Sequence, residues 1–311
     1  MHSLCKTKFK RFSYNIRKHY QLFLFLLIPL IWLIVFHYTP MAFIQIAFRN
    51  YKIRLGMWGS KWVGLHHFVK FFQSYQFERV LKNTIVLSFY SLIAGFPLPI
   101  LLALCMNAMM GTRYKRFVQT VTYIPHFIST VVLVGMLTQF MNPRIGIYGQ
   151  LGYLLTGTQP RDILGSAAAF PHLYVWSGIW QGTGWSSIIY MAALSSVDAE
   201  LHEAAQIDGA SRFQRCLHID LPSILPTAMI LLIMSMGNVM SVGFEKVYLM
   251  QNQLNLSSSE VISTYVYKVS ISDGSDFSYG TAIGLFNSVV NLLLLVTVNA
   301  VSRKVTSSSL W

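Results

Sequence analysis

Few side chains in this 311-residue sequence are arranged for covalent chemistry. No H-E-x-x-H pair is present to hold zinc, and the nine histidines, such as His66-His67, lie mainly in tails and loops. A phosphate loop of the G-x-x-x-x-G-K-[ST] type is missing, and the nearest string, Gly56 to Lys61, lacks the pattern. What the sequence does offer is a docking segment, the polar run Ser195 to Ala210. Ser195 and Asp198 have capping-box spacing, or Asp198 itself caps a helix. Ala199 to Gln206 are good helix formers apart from His202, and Gly209 is placed to stop the helix. Ser211 and Gln214 repeat the capping spacing, which predicts a second short helix leading to Leu221-Pro222. Ala204, Ala205, Gly209 and Ala210 present almost no side-chain bulk, so such a surface can enter a groove on another protein. Glu200, Glu203 and Asp208 would offer acceptors to the walls of that groove. An ordinary amphipathic loop helix carries the same pattern, and physics alone leaves both readings open.

The elements that hold this segment are set by composition. Hydrophobic residues make up 54% of the chain and charged ones 11%, against about 25% in soluble domains. A mean hydropathy of +0.49 means that most of the outer surface faces something other than water. Disorder is excluded by 14% aromatic residues, and a disulfide scaffold by only three cysteines, Cys5, Cys105 and Cys216. The net charge of +13 is spread over tails and short loops between apolar runs, not in a stripe interleaved with stacking aromatics, so nucleic acid is not the partner. The chain reads as an all-α, multi-pass membrane protein lying in a lipid bilayer.

Six runs are long enough to cross a hydrocarbon core about 30 Å thick. A basic tail, 1–21, precedes the first span at 22–48, which is interrupted by Pro29 and Pro40 and stays as a signal anchor because no cleavage pattern follows it. An external loop at 49–83 leads into a five-helix core over 84–301, with runs at Thr84–Met106, Val118–Phe140, Pro171–Leu194, Ile224–Phe244 and Thr281–Val301, and a tail at 302–311. Six spans put both termini on one side. The 24 basic residues divide almost evenly between the two faces, and the acid-free N-terminal tail tips the balance toward a cytoplasmic location for both ends. Proline inside a span either kinks a helix beside a water-filled passage or marks a packing irregularity. Gly178 and Gly182 form a G-x-x-x-G pair, and Gly280 and Gly284 open the last span, a signal for close helix contact within the chain or with a partner.

Glu203-Ala204-Ala205, Asp208-Gly209-Ala210, Phe213 and Ile219-Asp220-Leu221-Pro222 resemble the EAA loop of binding-protein-dependent ABC importer permeases. The resemblance spans nearly the whole chain. Gly59-Ser60-Lys61-Trp62-Val63-Gly64-Leu65, Asn83-Thr84, Tyr123-Ile124-Pro125, Tyr265-Val266-Tyr267 and Gly280-Thr281-Ala282-Ile283-Gly284 are similar to the carbohydrate-uptake branch, nearest to permeases for complex oligosaccharides such as pectin- or alginate-derived fragments. Asp198 departs from the family, which often has proline there. The resemblance implies a type I importer fold with six transmembrane helices and a cytoplasmic coupling helix within 198–222. It implies Glu200, Glu203, Ala204, Ala205, Asp208, Gly209 and Ala210 as the positions that meet an ATPase. It also implies two cytoplasmic ATPase subunits that bind ATP and Mg2+, a second permease subunit of a different chain, and an external solute-binding protein, with this chain binding no cofactor and no metal and being no enzyme itself.

Sugar recognition needs aromatic faces with amide or hydroxyl partners. Trp176, Trp180, Gln181, Trp185, Asn238, Asn287 and Asn291 are candidates for lining a substrate path. Tryptophan at a span end equally serves as an interfacial anchor, and asparagine as glue between helices. Ionisable residues within the runs are scarce, chiefly His126 and the edge pair Glu245-Lys246, which disfavours an ion-coupled secondary transporter, the alternative reading. An intramembrane enzyme would need a nucleophile or metal constellation that the runs do not contain.

Overall fold

The computed structural model describes residues 18–109, 111–272 and 274–305. Most of the basic tail at 1–21, with Cys5, and most of the tail at 302–311 lie outside these residues. The described chain is a helical assembly with one small antiparallel ribbon, Arg49–Lys52 paired with Ser60–Trp62.

Among the described residues, four helices are long and apolar enough to cross a membrane: Tyr20–Phe48, Tyr75–Asn107, Arg212–Met236 and Phe277–Lys304. The first buries none of the residues Tyr20–Leu33 against the rest of the chain. Its helix passes through a π turn at Ile34–Tyr38 just before Pro40, whose ring removes a backbone donor; the Thr39 hydroxyl donates to the Ile34 carbonyl at 3.0 Å instead. The second begins at Tyr75 rather than Thr84, because an amphipathic stretch carrying Glu78, Arg79 and Lys82 extends the helix out of the apolar run. Pro97 restarts this helix at its first turn, where a missing N–H costs least.

The third run is not one straight span. Thr112–Phe127 and Thr130–Phe140 meet at 97°. Pro125 sits in a 3-10 turn at Ile124–Phe127, the backbone then extends at Ser129, and the Ser129 hydroxyl accepts the Val132 N–H at 3.3 Å to begin a new helix. An apolar run records length and composition but not this internal stop signal. The fourth, Phe170–Leu194, has the length of a span at 25 residues, but Ser177, Gln181, Thr183, Ser186 and Ser187 hold it below the apolarity of the other four.

The fifth helix starts at Arg212 and ends at Met236, against an expected Ile224 to Phe244. The expected second short helix is therefore the root of this span, joined to it by a π turn at Cys216–Asp220 that accommodates Pro222. After Met236 the chain unwinds through Gly237 and Gly243 and forms a separate short helix, Phe244–Met250. Of the paired glycines, a Cβ at Gly280 would collide with Ser270 and one at Gly178 would crowd Lys246, whereas nothing lies within 4 Å at Gly182 or Gly284; Gly184 is a further close approach, to the Thr122 carbonyl.

Three apolar clusters tie the described elements together; one of them gathers Leu87, Val134, Phe170, Val247 and Val261. Phe71, Val80, Met236, Val239, Met240, Ile262, Tyr265, Tyr279 and Ile283 form a second, joining the segment before span two to the last helix. Ala103, Leu104, Tyr190, Leu194, Ile224 and Ala228 form a third, next to the docking segment.

Candidate coupling surface and solute path

The docking segment is built by its own end signals. The Asp198 carboxylate accepts the Glu200 N–H at 3.0 Å and caps the helix Ala199–Ile207, while the Ser195 hydroxyl turns back to donate to the Ala192 carbonyl. Gly209 takes φ +79°, and the Gly209 and Ala210 N–H groups donate to the Gln206 and Ala205 carbonyls, a Schellman ending that suits glycine. Ser211 and Gln214 then cap each other reciprocally at the start of span five.

None of Ala199–Ile207 is buried. Ile207 is 86% exposed and Phe213 74%, and Leu201, Ala204, Glu200, Glu203, Asp208 and Gly209 are also open to the outside, with Ala205 and Ala210 half-buried. A short helix that shows leucine, isoleucine and alanine outward, followed by the exposed Phe213, leaves an apolar face uncovered within this chain.

Its inner face is fastened by polar contacts that sequence reasoning did not single out. His202 Nε2 lies 3.2 Å from Asp220 Oδ1, and the Asn107 side-chain amide donates to that same oxygen at 3.2 Å. Asp220 is only 4% exposed. The docking helix is thereby joined to the ends of spans two and five. The one signal available in the sequence was an acid placed against the apolar start of span five, at Ile219-Asp220-Leu221.

The seven candidate path residues fall into different environments. Trp176 and Trp180 lie one helical turn apart and are each about half exposed. The Trp176 indole donates to the Tyr90 hydroxyl at 2.9 Å, leaving the Tyr90 O–H to point to His172 Nδ1 at 2.9 Å. Trp185 stacks flat on His126, ring centroids 4.5 Å apart, and borders a cavity of about 620 Å³ with Ser91, Pro99 and Ser235. Asn238 is exposed. The Gln181 amide instead donates to the Ile128 carbonyl at 2.7 Å and braces the 97° bend. Asn291 is buried and takes the Met240 N–H on its oxygen while its amide donates to the Ser241 hydroxyl, so it clamps the unwound stretch after span five. The Asn287 Oδ1 is buried without a partner.

The segment between the first two spans is aromatic and cationic. Arg49 lies over the rings of Trp58 and Trp62 at 5.8 and 5.6 Å, and a cavity of about 790 Å³ opens beside it, lined by Lys61, Trp62, His66, His67 and Lys70 among others.

A family model for the inner membrane component of binding-protein-dependent transport systems matches residues 95–307. The chain belongs to this family. Among curated relatives of this transport-system component, LplB of Bacillus subtilis is 41% identical over 93% of this chain and 91% of its own length. The polygalacturonan/rhamnogalacturonan transport system permease YteP of the same organism is 40% identical over 96% and 92%. The solved structure of a bacterial ABC transporter that imports the acidic polysaccharide alginate contains a chain 38% identical to this one, with a TM-score of 0.87, covering 95% of this chain and 99% of that one. A second structure of the alginate transporter, in complex with an alginate pentasaccharide-bound periplasmic protein, matches equally well. The fold is that of a type I ABC importer permease, and the chain is a membrane component of a transporter rather than an enzyme.

Proposed function

We propose that this permease carries oligosaccharides derived from polysaccharides across the cell membrane, driven by ATP that two separate cytoplasmic subunits bind with Mg2+ and hydrolyse. Closure of the two ATPases would draw the docking helices together and rock the spans between inward-open and outward-open states, a two-state element biased by a remote ligand. Glu200, Glu203, Ala204, Ala205, Asp208, Gly209 and Ala210 form the contact with the ATPase, which places this loop and both termini in the cytoplasm. A second permease chain covers the lipid-level faces left open here, and an external solute-binding protein delivers the sugar. Trp176, Trp180 and Asn238 carry the path-lining role best, being exposed on this chain.

The observation that supports this reading most is the uncovered helix Ala199–Ile207, pinned from behind through His202 and Asp220. Relatives named as a polygalacturonan/rhamnogalacturonan permease and an alginate importer favour sugars over other solutes.

Glu203→Arg places a cation in the docking face without touching a buried residue. Membrane insertion is expected to stay normal while co-purification of the ATPase subunits is lost. Unchanged recovery of the ATPase with that variant counts against the docking role. Robust sugar uptake by this polypeptide alone in liposomes would favour a stand-alone secondary transporter.

A further inference from the structure

Lys246 is a cation set at membrane depth without a carboxylate. It lies in the short helix Phe244–Met250 that follows the unwound end of span five. Its ammonium donates to the Tyr174 carbonyl at 2.8 Å and lies 4.9 Å from the centre of the Tyr174 ring. Gly178, one turn further along the same helix, makes room for it, since a Cβ there would come within 3.1 Å of Lys246 Nζ. At about 1.5 Å per residue, Gly178 lies about 12 Å inside the helix that begins at Phe170, well beyond its outer end.

Ion pairs among the described residues join Lys70 to Asp276, Arg79 and Lys268 to Glu260, and His202 to Asp220; none reaches Lys246. Its sequence neighbour Glu245 is exposed and makes no ion pair with it. An ammonium group has three N–H donors, and one carbonyl with one ring face leaves donor capacity unused. A charge held inside a membrane without a counter-ion is costly, and such residues mark a path or a ligand. The same helix face carries Gln181 and Trp185, at the bend of the third run and beside the cavity between spans.

We propose that Lys246 is the specificity-determining residue for an acidic oligosaccharide, its ammonium receiving the carboxylate of a uronic acid unit as the chain passes span four. The assignment rests on the oligosaccharide reading above and adds the charge of the cargo. Tyr174 supplies the adjoining aromatic face, against which an apolar face of a sugar ring can lie. A neutral sugar would leave the ammonium partly desolvated with nothing in exchange, so the site would select for anionic sugars as well as admit them.

The test is uptake by the assembled transporter, with its ATPase, second permease and binding protein, in liposomes. The probes are trigalacturonate and its methyl ester, which keeps rings and hydroxyls but lacks charge. The wild-type transporter is expected to prefer the free acid. Lys246→Met should lower uptake of the acid by about tenfold or more, the worth of one charge-assisted hydrogen bond, with the ester unchanged. Lys246→Arg should recover part of the loss. Gly178→Ala, which crowds the ammonium without removing it, should raise the KM for the acid and leave that for the ester alone, and it serves if Lys246→Met does not assemble. Wild-type uptake of the ester as fast as the acid overturns the Lys246 assignment while the oligosaccharide reading stands. Either variant handling the acid like the wild type overturns it as well. Import of neither probe by the wild type overturns both.

Discussion

His202 and Asp220 meet at 3.2 Å across the turn that separates the docking helix from span five. One comes from the middle of Ala199–Ile207 and the other from the π turn at the root of the span, so the contact ties a surface helix to a membrane rod. The Asn107 amide on the same Asp220 oxygen adds the end of span two to the joint. One buried carboxylate thus fastens this helix to two spans.

Replacing Asp220 with alanine should separate docking from transport. The exposed face keeps its residues, so the ATPase should still co-purify, while sugar uptake per ATP hydrolysed should fall. Loss of the two contacts should also cost about 1–3 kcal/mol of stability, because His202 and Asn107 lose their partner. Parallel measurement of ATPase recovery and uptake checks this, and a variant with coupled uptake intact would remove Asp220 from the relay.

On the opposite side, Glu260 is 2% exposed and receives Arg79, with Lys268 Nζ at 3.8 Å. The Asn83 amide donates to the Ser257 and Glu260 carbonyls, and the Ile262 N–H donates to the Thr84 hydroxyl. Together these fasten the segment before Ile262–Tyr267 to span two. Glu260→Gln keeps the shape but leaves Arg79 facing no carboxylate. The expected loss is about 3 kcal/mol, read as a lower midpoint in thermal unfolding of the detergent-solubilised protein. An unchanged midpoint would show that solvent at Arg79 suffices.

His67 supplies a pH prediction. It lies outside the spans, is 6% exposed, and its Nε2 donates to the Arg49 carbonyl at 3.1 Å while Nδ1 is buried without a partner. Burial pushes its pKa below the ordinary 6.5, more than the Arg49 carbonyl and Asp276 raise it; His66 and Lys70 lower it further. Because the folded value is depressed, the contribution is fully present above pH 6.5 and is lost as pH falls through the folded value, where the unfolded chain takes up the proton first. The unfolding midpoint should therefore fall on acidification below 6.5, and His67→Gln should flatten that slope.

Local chemistry was legible in the residues themselves. Asp198, Gly209, Ser211 and Gln214 end and begin helices through bonds to backbone groups a few positions away, and each does so in the structure. The long apolar runs were legible for the same reason, since length and composition suffice to choose lipid over water. The right angle after Pro125 was not, because a proline in an apolar run signals a kink but not its size, and the angle is fixed by how the two halves pack. Nor were the roles of Gln181 and Asn291, whose amides are claimed by Ile128, Met240 and Ser241. Asp220 with His202, Glu260 with Arg79 and Lys246 with Tyr174 were decided only by tertiary packing. A charge brought into low dielectric must find whatever group the folded helices bring beside it, and that neighbour is set by how distant helices cross, which no local pattern encodes.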